Sequence, residues 1–219
     1  MSQSDSFIDE VTEEVRRDKL FATMKRYGWI AILAVIAIVG GATWYEFNRS
    51  QQEAQAEAYG DALLAALEQG APAERATALD SVDAQGPEAR AVADLLRAAE
   101  LAVAADTQAA VDLLTRVSQT RDLPPIYRAM AQYRALALQS DLSAQERRDG
   151  YEELAGPGGP LRLLALEQIA VTYAEEGNRL EALDRLNSLL DEAGATPDLL
   201  RRVSQLIVSL GGIPGEAAQ

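Results

Sequence analysis

The chain has no cysteine and no histidine among its 219 residues. Their absence excludes a disulfide framework, a thiolate nucleophile, an imidazole base and a zinc site of the usual N/S kind. Every catalytic triad built on histidine is excluded with them. Lysine is nearly missing as well: only Lys19 and Lys25 occur, both near the N-terminus. Aromatic residues make up 5% and prolines number eight. The net charge is −14 and the pI is near 4.4. That argues against nucleic acid as a partner, because phosphates need a clustered positive surface. What the chain has in plenty is Ala, Leu, Glu and Arg, whose side chains lose little freedom on a helix. The composition therefore predicts an acidic, helical, non-enzymatic protein. The length allows one domain, or one domain with an appendage.

Charge is absent from one long stretch, Trp29 to Tyr45, which reads WIAILAVIAIVGGATWY. Its seventeen residues extend about 25 Å as a helix, near the short end of what spans a bilayer. Ile30, Ile32, Leu33, Val35, Ile36, Ile38 and Val39 contribute on the order of −2 to −4 kcal/mol on the insertion scale. Tyr27 and Trp29 stand at one end and Trp44 and Tyr45 at the other, matching the two headgroup levels, where these rings anchor. A buried core helix would rarely carry aromatic pairs at both ends. The spacing predicts one transmembrane helix over residues 28–46. A cleaved signal peptide is the alternative, but Asp5, Asp9, Glu10, Glu13, Glu14 and Asp18 precede the run, unlike a short positive leader. Arg16, Arg17, Lys19, Lys25 and Arg26 lie before the run, and only Arg49 follows within twenty residues. This asymmetry places the N-terminus in the cytoplasm and the remainder outside. In a bacterium that is a single-pass inner-membrane protein with a periplasmic domain, where a lack of cysteine is permitted but not required.

Residues 1–27 read as a cytoplasmic amphipathic helix. Ser4 or Ser6 would cap it, with acids in the first turns and bases in the last. Ile8, Val11 and Val15 form a thin apolar stripe, continued by Phe21 and Met24. Two readings stand: a solvated helix whose basic end meets anionic lipid, or a docking helix for a partner.

Residues 47–219 alternate breakers with amphipathic runs of about 12–20 residues and show no period-two strand pattern. They predict an all-α domain of eight or nine helices. The clearest segment begins near Leu163, LLALEQIAVTYAEEGNRLEALDRLNSLL. Small Ala170, large Tyr173, turn residue Gly177 and small Ala182 fall in it at intervals that resemble the tetratricopeptide repeat, a pair of antiparallel helices of about 34 residues. Leu186 and Leu189 depart from that pattern. A second copy begins near Ala91, with Ala98, Leu101, Ala110, Leu114 and Val117 in the corresponding places and Asp106 as a helix cap. Weaker copies begin near Ala56, using Leu63, Ala66, Leu79 and Val82, and near Arg128, using Ala135, Leu138, Tyr151 and Leu154. The starts at 56, 91, 128 and 163 predict a tetratricopeptide-like α-solenoid, with residues 197–210 as a C-terminal cap helix. The alternative is an irregular helical bundle.

Neither reading supplies a catalytic residue, a cofactor or a metal. Glu152-Glu153, Glu175-Glu176 and Asp191-Glu192 are adjacent pairs, and neighbours on a helix diverge by about 100° instead of facing each other. Gly156-Pro157-Gly158-Gly159-Pro160 lacks the Lys and Ser/Thr of a phosphate-binding loop and reads as a stiff connector.

The order of parts is an acidic-then-basic helix, one span ending in Trp44-Tyr45-Glu46-Phe47, an Ala/Gln/Glu-rich helix (Ser50 to Gln69) and degenerate repeats. This layout resembles the bacterial ancillary subunit family of the Sec translocon. The resemblance implies association with the translocon and with periplasmic chaperones or exported polypeptides. An accessory or assembly subunit of another inner-membrane complex, for example a respiratory one, is the alternative, since Gly40-Gly41 and nearby alanines allow close helix packing. A small-molecule or cell-wall enzyme is a third reading, which the missing chemistry disfavours. Charge follows the same division: residues 1–45 sum to −1 and residues 46–219 to −13.

Overall fold

Four helices begin with proline. Pro72, Pro87, Pro125 and Pro197 each occupy the first helical turn, where a missing N–H costs nothing and the fixed φ is already helical. In the computed structural model, backbone is described for residues 3–216, and side chains for Lys25, Trp29, Ile30 and residues 33–216. Among the described residues there are nine α-helices and no strand: α1 (Gln3–Leu67), α2 (Pro72–Asp80), α3 (Pro87–Val103), α4 (Thr107–Gln119), α5 (Pro125–Leu138), α6 (Ala144–Leu154), α7 (Arg162–Glu175), α8 (Arg179–Leu190) and α9 (Pro197–Ser209). The chain divides into two compact units, Met1–Ala58 and Tyr59–Gln219.

The first unit is a single helical stretch. The expected cytoplasmic segment and the expected span lie on one helix, because α1 runs through Gly28 and through Gly40-Gly41 without interruption. A glycine inside a helix costs roughly 1 kcal/mol relative to alanine, too little to end a helix supported on both sides. Among the described residues no helix is long and apolar enough to cross a membrane. Ala31 and Ile32 belong to the seventeen-residue run but lie outside the described side chains, so that finding concerns a shorter stretch than the run itself.

In the second unit each helix from α2 to α9 packs on the next one in sequence. The core is correspondingly a series of clusters. Ala66, Leu79 and Val82 gather residues of α1 and α2 with Leu96 of α3. Leu114, Val117 and Ala131 join α3, α4 and α5. Tyr151, Leu161 and Ile169 join α5, α6 and α7, and Leu186, Val203 and Ile207 join α7, α8 and α9. The second helix of each hairpin begins at Pro72, Thr107, Ala144 and Arg179, which are 35, 37 and 35 residues apart. The segments expected to begin near 56, 91, 128 and 163 lie on α1, α3, α5 and α7, and the expected cap helix is α9.

Two of the hairpin turns have the same backbone. After α7, the Gly177 N–H donates to the Ala174 carbonyl and the Asn178 N–H to the Tyr173 carbonyl. After α3, Ala105 donates to Ala102 and Asp106 to Leu101. These are paired C-terminal closures that need a left-handed residue at the first position after the cap. Gly177 has φ 78° and Ala105 has φ 64°. The next residue then caps the following helix: Asp106 accepts from the Ala109 N–H, and Asn178 accepts from the Glu181 N–H. A side chain in this region costs about 1 kcal/mol. Ala105→Gly is therefore expected to stabilise the domain by about 0.5–1 kcal/mol and Gly177→Ala to destabilise it by about 1 kcal/mol. Thermal midpoints followed by far-ultraviolet circular dichroism check both. Equal midpoints for Ala105→Gly and the wild type would overturn the left-handed assignment.

Candidate functional site

The residues singled out for repeat packing lie between helices. Ala98, Leu101 and Ala110 meet in the α3–α4–α5 cluster. Ala170 belongs to the α7–α8–α9 cluster, whereas Tyr173, three residues later, packs against the α5–α6–α7 cluster. Ala182 is fully buried on α8, and Gly177 sits exposed in the turn before it. The seven residues are therefore spread over three interfaces, and they position helices instead of lining one pocket.

Burial explains the small positions. Ala110 and Ala182 are each the fourth residue of a hairpin's second helix, both at 0% exposure. The same place is taken by Arg75 on α2 and Arg147 on α6. There a long stem crosses to the end of the following helix: Arg75 holds Glu100 at 2.7 Å, and Arg147 holds Glu175. Arginine thus alternates with alanine along the four hairpins. The alternation is a signal at twice the repeat length, which adjacent repeats do not share.

Beside Arg147, Arg148 is the most enclosed arginine of the second unit, at 5% exposure. Its Nε donates to Thr172 Oγ1 at 3.2 Å and its Nη1 to Gln145 Oε1 at 3.0 Å, while Nη2 pairs with Glu176. The guanidinium lies 3.8 Å from the centre of the Tyr173 ring. This geometry combines charge-assisted hydrogen bonds with a cation–π contact. Further along, Glu167 is buried and accepts two hydrogen bonds from Arg202, at 3.0 and 2.7 Å, which tie α7 to α9. Arg162 grips Glu192 in the same two-pronged way. Arg148, Arg162, Glu167 and Arg202 were not singled out from the sequence, and Glu176 and Glu192 were read there only as members of adjacent acidic pairs.

The adjacent acidic pairs separate as their helical positions require. Glu175 and Glu176 take different arginines, and Glu192 takes Arg162. Glu153 accepts from Gln132 Nε2, at 2.9 Å. Among the described residues no group of His, Cys, Asp or Glu is arranged to hold a metal. The depressions on the surface include one of ≈ 490 Å³ lined by Pro160, Leu163, Leu164, Thr196, Leu199 and Arg202. Arg202, its one charged side chain besides Arg162, is already committed to Glu167.

The fold shifts the ionisation of carboxylates and of tyrosines. Hydrogen bonds from Arg162 hold the Glu192 carboxyl below its ordinary range, and those from the Ser143 hydroxyl and N–H do the same for Glu146. Burial raises the Tyr59 and Tyr133 hydroxyls and pushes Tyr151 up to about 12. A depressed carboxylate contributes stability above its unfolded pKa and loses it as pH falls through the folded value. A raised tyrosine contributes stability below its unfolded pKa, about 10, and loses it as pH rises toward the folded one. With no histidine, the thermal midpoint is expected to be flat from about pH 5.5 to 9 and to fall on both sides. A change of slope near pH 6.5 would contradict this.

In the first unit the described side chains of the apolar run are exposed. Ile38 is at 70% and Trp44 at 74%, and Trp29, Leu33, Ile36, Val39 and Tyr45 are exposed likewise. Lys25 is exposed. The side chains of Tyr27, Arg16, Arg17, Lys19 and Arg26 lie outside the described residues. Described apolar residues exposed on all sides of one helix are unusual for a surface in water. Comparison with protein-family models, with curated proteins and with solved structures finds no match to this chain.

Proposed function

We propose that the chain is a membrane-tethered scaffold for protein–protein interaction. One transmembrane helix anchors a tetratricopeptide-like α-solenoid on the periplasmic face of a bacterial inner membrane. The observation that carries the anchor is the uncharged run Trp29 to Tyr45, whose described side chains are exposed around the helix. A hydrocarbon environment satisfies that surface, and the backbone groups are already bonded within the helix. The solenoid rests on hairpins that recur every 35–37 residues and on clusters shared only by neighbouring helices, the arrangement of quasi-one-dimensional repeat arrays. Stacked hairpins offer an extended surface for a partner segment, and tethering raises its effective concentration at the membrane.

Within this class, the order of parts supports an ancillary factor of the Sec translocon that links exported polypeptides to periplasmic chaperones. A second reading, an accessory subunit of another inner-membrane complex, is favoured by Gly40 and Gly41, beside which nothing lies within 4 Å of where a Cβ would stand. An open small-residue surface lets another helix approach closely. Purification in mild detergent with partner identification separates the two. Recovery of translocon subunits supports the first, and recovery of a respiratory or other complex at fixed stoichiometry without them supports the second. Protease added outside intact spheroplasts is expected to digest the repeat domain, and full protection would overturn the topology.

A further inference from the structure

Salt bridges occupy most arginines of the second unit. From Arg75 onward the chain has fourteen. Nine hold a carboxylate, and Arg179 donates to the carbonyls of Leu210 and Gly211. Among the described residues, the four with no such partner are Arg116, Arg121, Arg128 and Arg134, and they are consecutive arginines in the sequence. The stretch 113–140 contains these four and a single acid, Asp122, for +3. The rest of residues 46–219 then sums to −16.

The fold gathers three of the four at one corner. Helices α4 and α5 pack together and are joined by residues 120–124, a connection short enough to make them antiparallel. Arg116 stands three residues before the end of α4 and Arg128 three after the start of α5, so they share one level, with Arg121 in the turn beyond. Arg134 follows about 9 Å further along α5. Arg116, Arg121 and Arg134 are exposed. Arg128 Nε is buried without a hydrogen-bond partner. Ile126 is exposed beside them.

We infer that the α4–α5 corner docks an acidic segment of a partner polypeptide that carries an apolar residue among its acids. Four arginines against Asp122 in the turn leave positive charge in excess at the corner, and a carboxylate-rich segment offsets that excess while pairing with the guanidinium donors. Ile126 supplies the apolar contact. An anionic bilayer fits less well, since a flat surface would also bring the surrounding excess of acids against it. A narrow segment meets the corner alone. The inference rests on the protein-binding reading of the domain but not on the anchor or on the identity of its partners.

The test uses the full chain in detergent micelles and labelled twelve-residue peptides of alternating glutamate and leucine, glutamine and leucine, or lysine and leucine. The glutamate peptide is expected to bind best, more weakly as salt rises. The triple variant Arg116→Gln, Arg121→Gln, Arg134→Gln is expected to raise its Kd about tenfold or more, with helicity retained because all three side chains are exposed. Arg201→Gln, on α9, is expected to leave the Kd unchanged. Absence of glutamate-peptide binding overturns the inference, as does equal binding by the triple variant. It also fails if the three substitutions instead abolish flotation with phosphatidylglycerol vesicles or concentration-dependent self-association. Each of these failures leaves the partner-recovery result untouched, so the two readings fail separately.

Discussion

Ile36→Arg combined with Val39→Arg is expected to move the protein from the membrane pellet to the supernatant after alkaline extraction. Both residues lie near the middle of the uncharged run and are exposed on α1. Arginine at the centre of a membrane helix costs about 2.5–3.5 kcal/mol on the insertion scale, so two cost about 5–7 kcal/mol. The seven aliphatic side chains of the run supply only about 2–4 kcal/mol, and two of them are lost in the variant. The balance changes sign. Ile36→Leu with Val39→Leu is expected to stay in the pellet, because both replacements remain favourable in hydrocarbon. A double-arginine variant that resists extraction would remove the anchor from the proposal. The repeat domain, whose clusters lie from Tyr59 onward, would keep its own helicity in either case.

Tyr151→Ala is expected to cost about 3–5 kcal/mol, the range for deleting a buried ring. At 2% exposure Tyr151 is the largest of the fully enclosed side chains. Its ring lies 5.6 Å from that of Tyr133, tilted by 59°, within the favourable range for aromatic pairs. Tyr151→Phe keeps the ring and removes a hydroxyl with no hydrogen-bond partner among the described residues, so it is expected to cost less than about 1 kcal/mol. In a domain of this size the alanine variant lowers the thermal midpoint on the order of 10 °C. Because the α5–α6–α7 cluster is the link between the earlier and later helices, the loss is also expected to broaden urea unfolding into two steps, as in repeat arrays whose neighbour coupling is weakened. Similar midpoints for the alanine and phenylalanine variants would show that α6 is not packed as described.

The helical class was legible because it depends on local periodicity and on where prolines and capping residues stand. Asp106 was readable as a cap because a helix start needs an acceptor at that position. Gly177 was readable as a turn because only a few residues accept a left-handed backbone. Ala105 holds the same conformation and was missed, since alanine carries no sign of it. The hairpins with Ala110 and Ala182 stood out because a small residue marks a close helix approach. Those with Arg75 and Arg147 at the same place looked degenerate, although each arginine crosses to a glutamate on the next helix.

Composition and local pattern alone were enough to determine an all-helical chain, an uncharged run of seventeen residues, the lack of imidazole and thiol chemistry, and an acidic balance concentrated after residue 45. Each of these belongs to single residues or to neighbours within a few turns. Only the tertiary structure decided how the charges are used. Arg148 and Glu176 are 28 residues apart, and Glu167 and Arg202 are 35 apart, so their pairing depends on which helices meet and how far a side chain reaches. The same packing left Arg116, Arg121, Arg128 and Arg134 without carboxylates among the described residues. A net charge of −14 hides that positive corner, because a sum over the chain carries no record of where its terms lie in space.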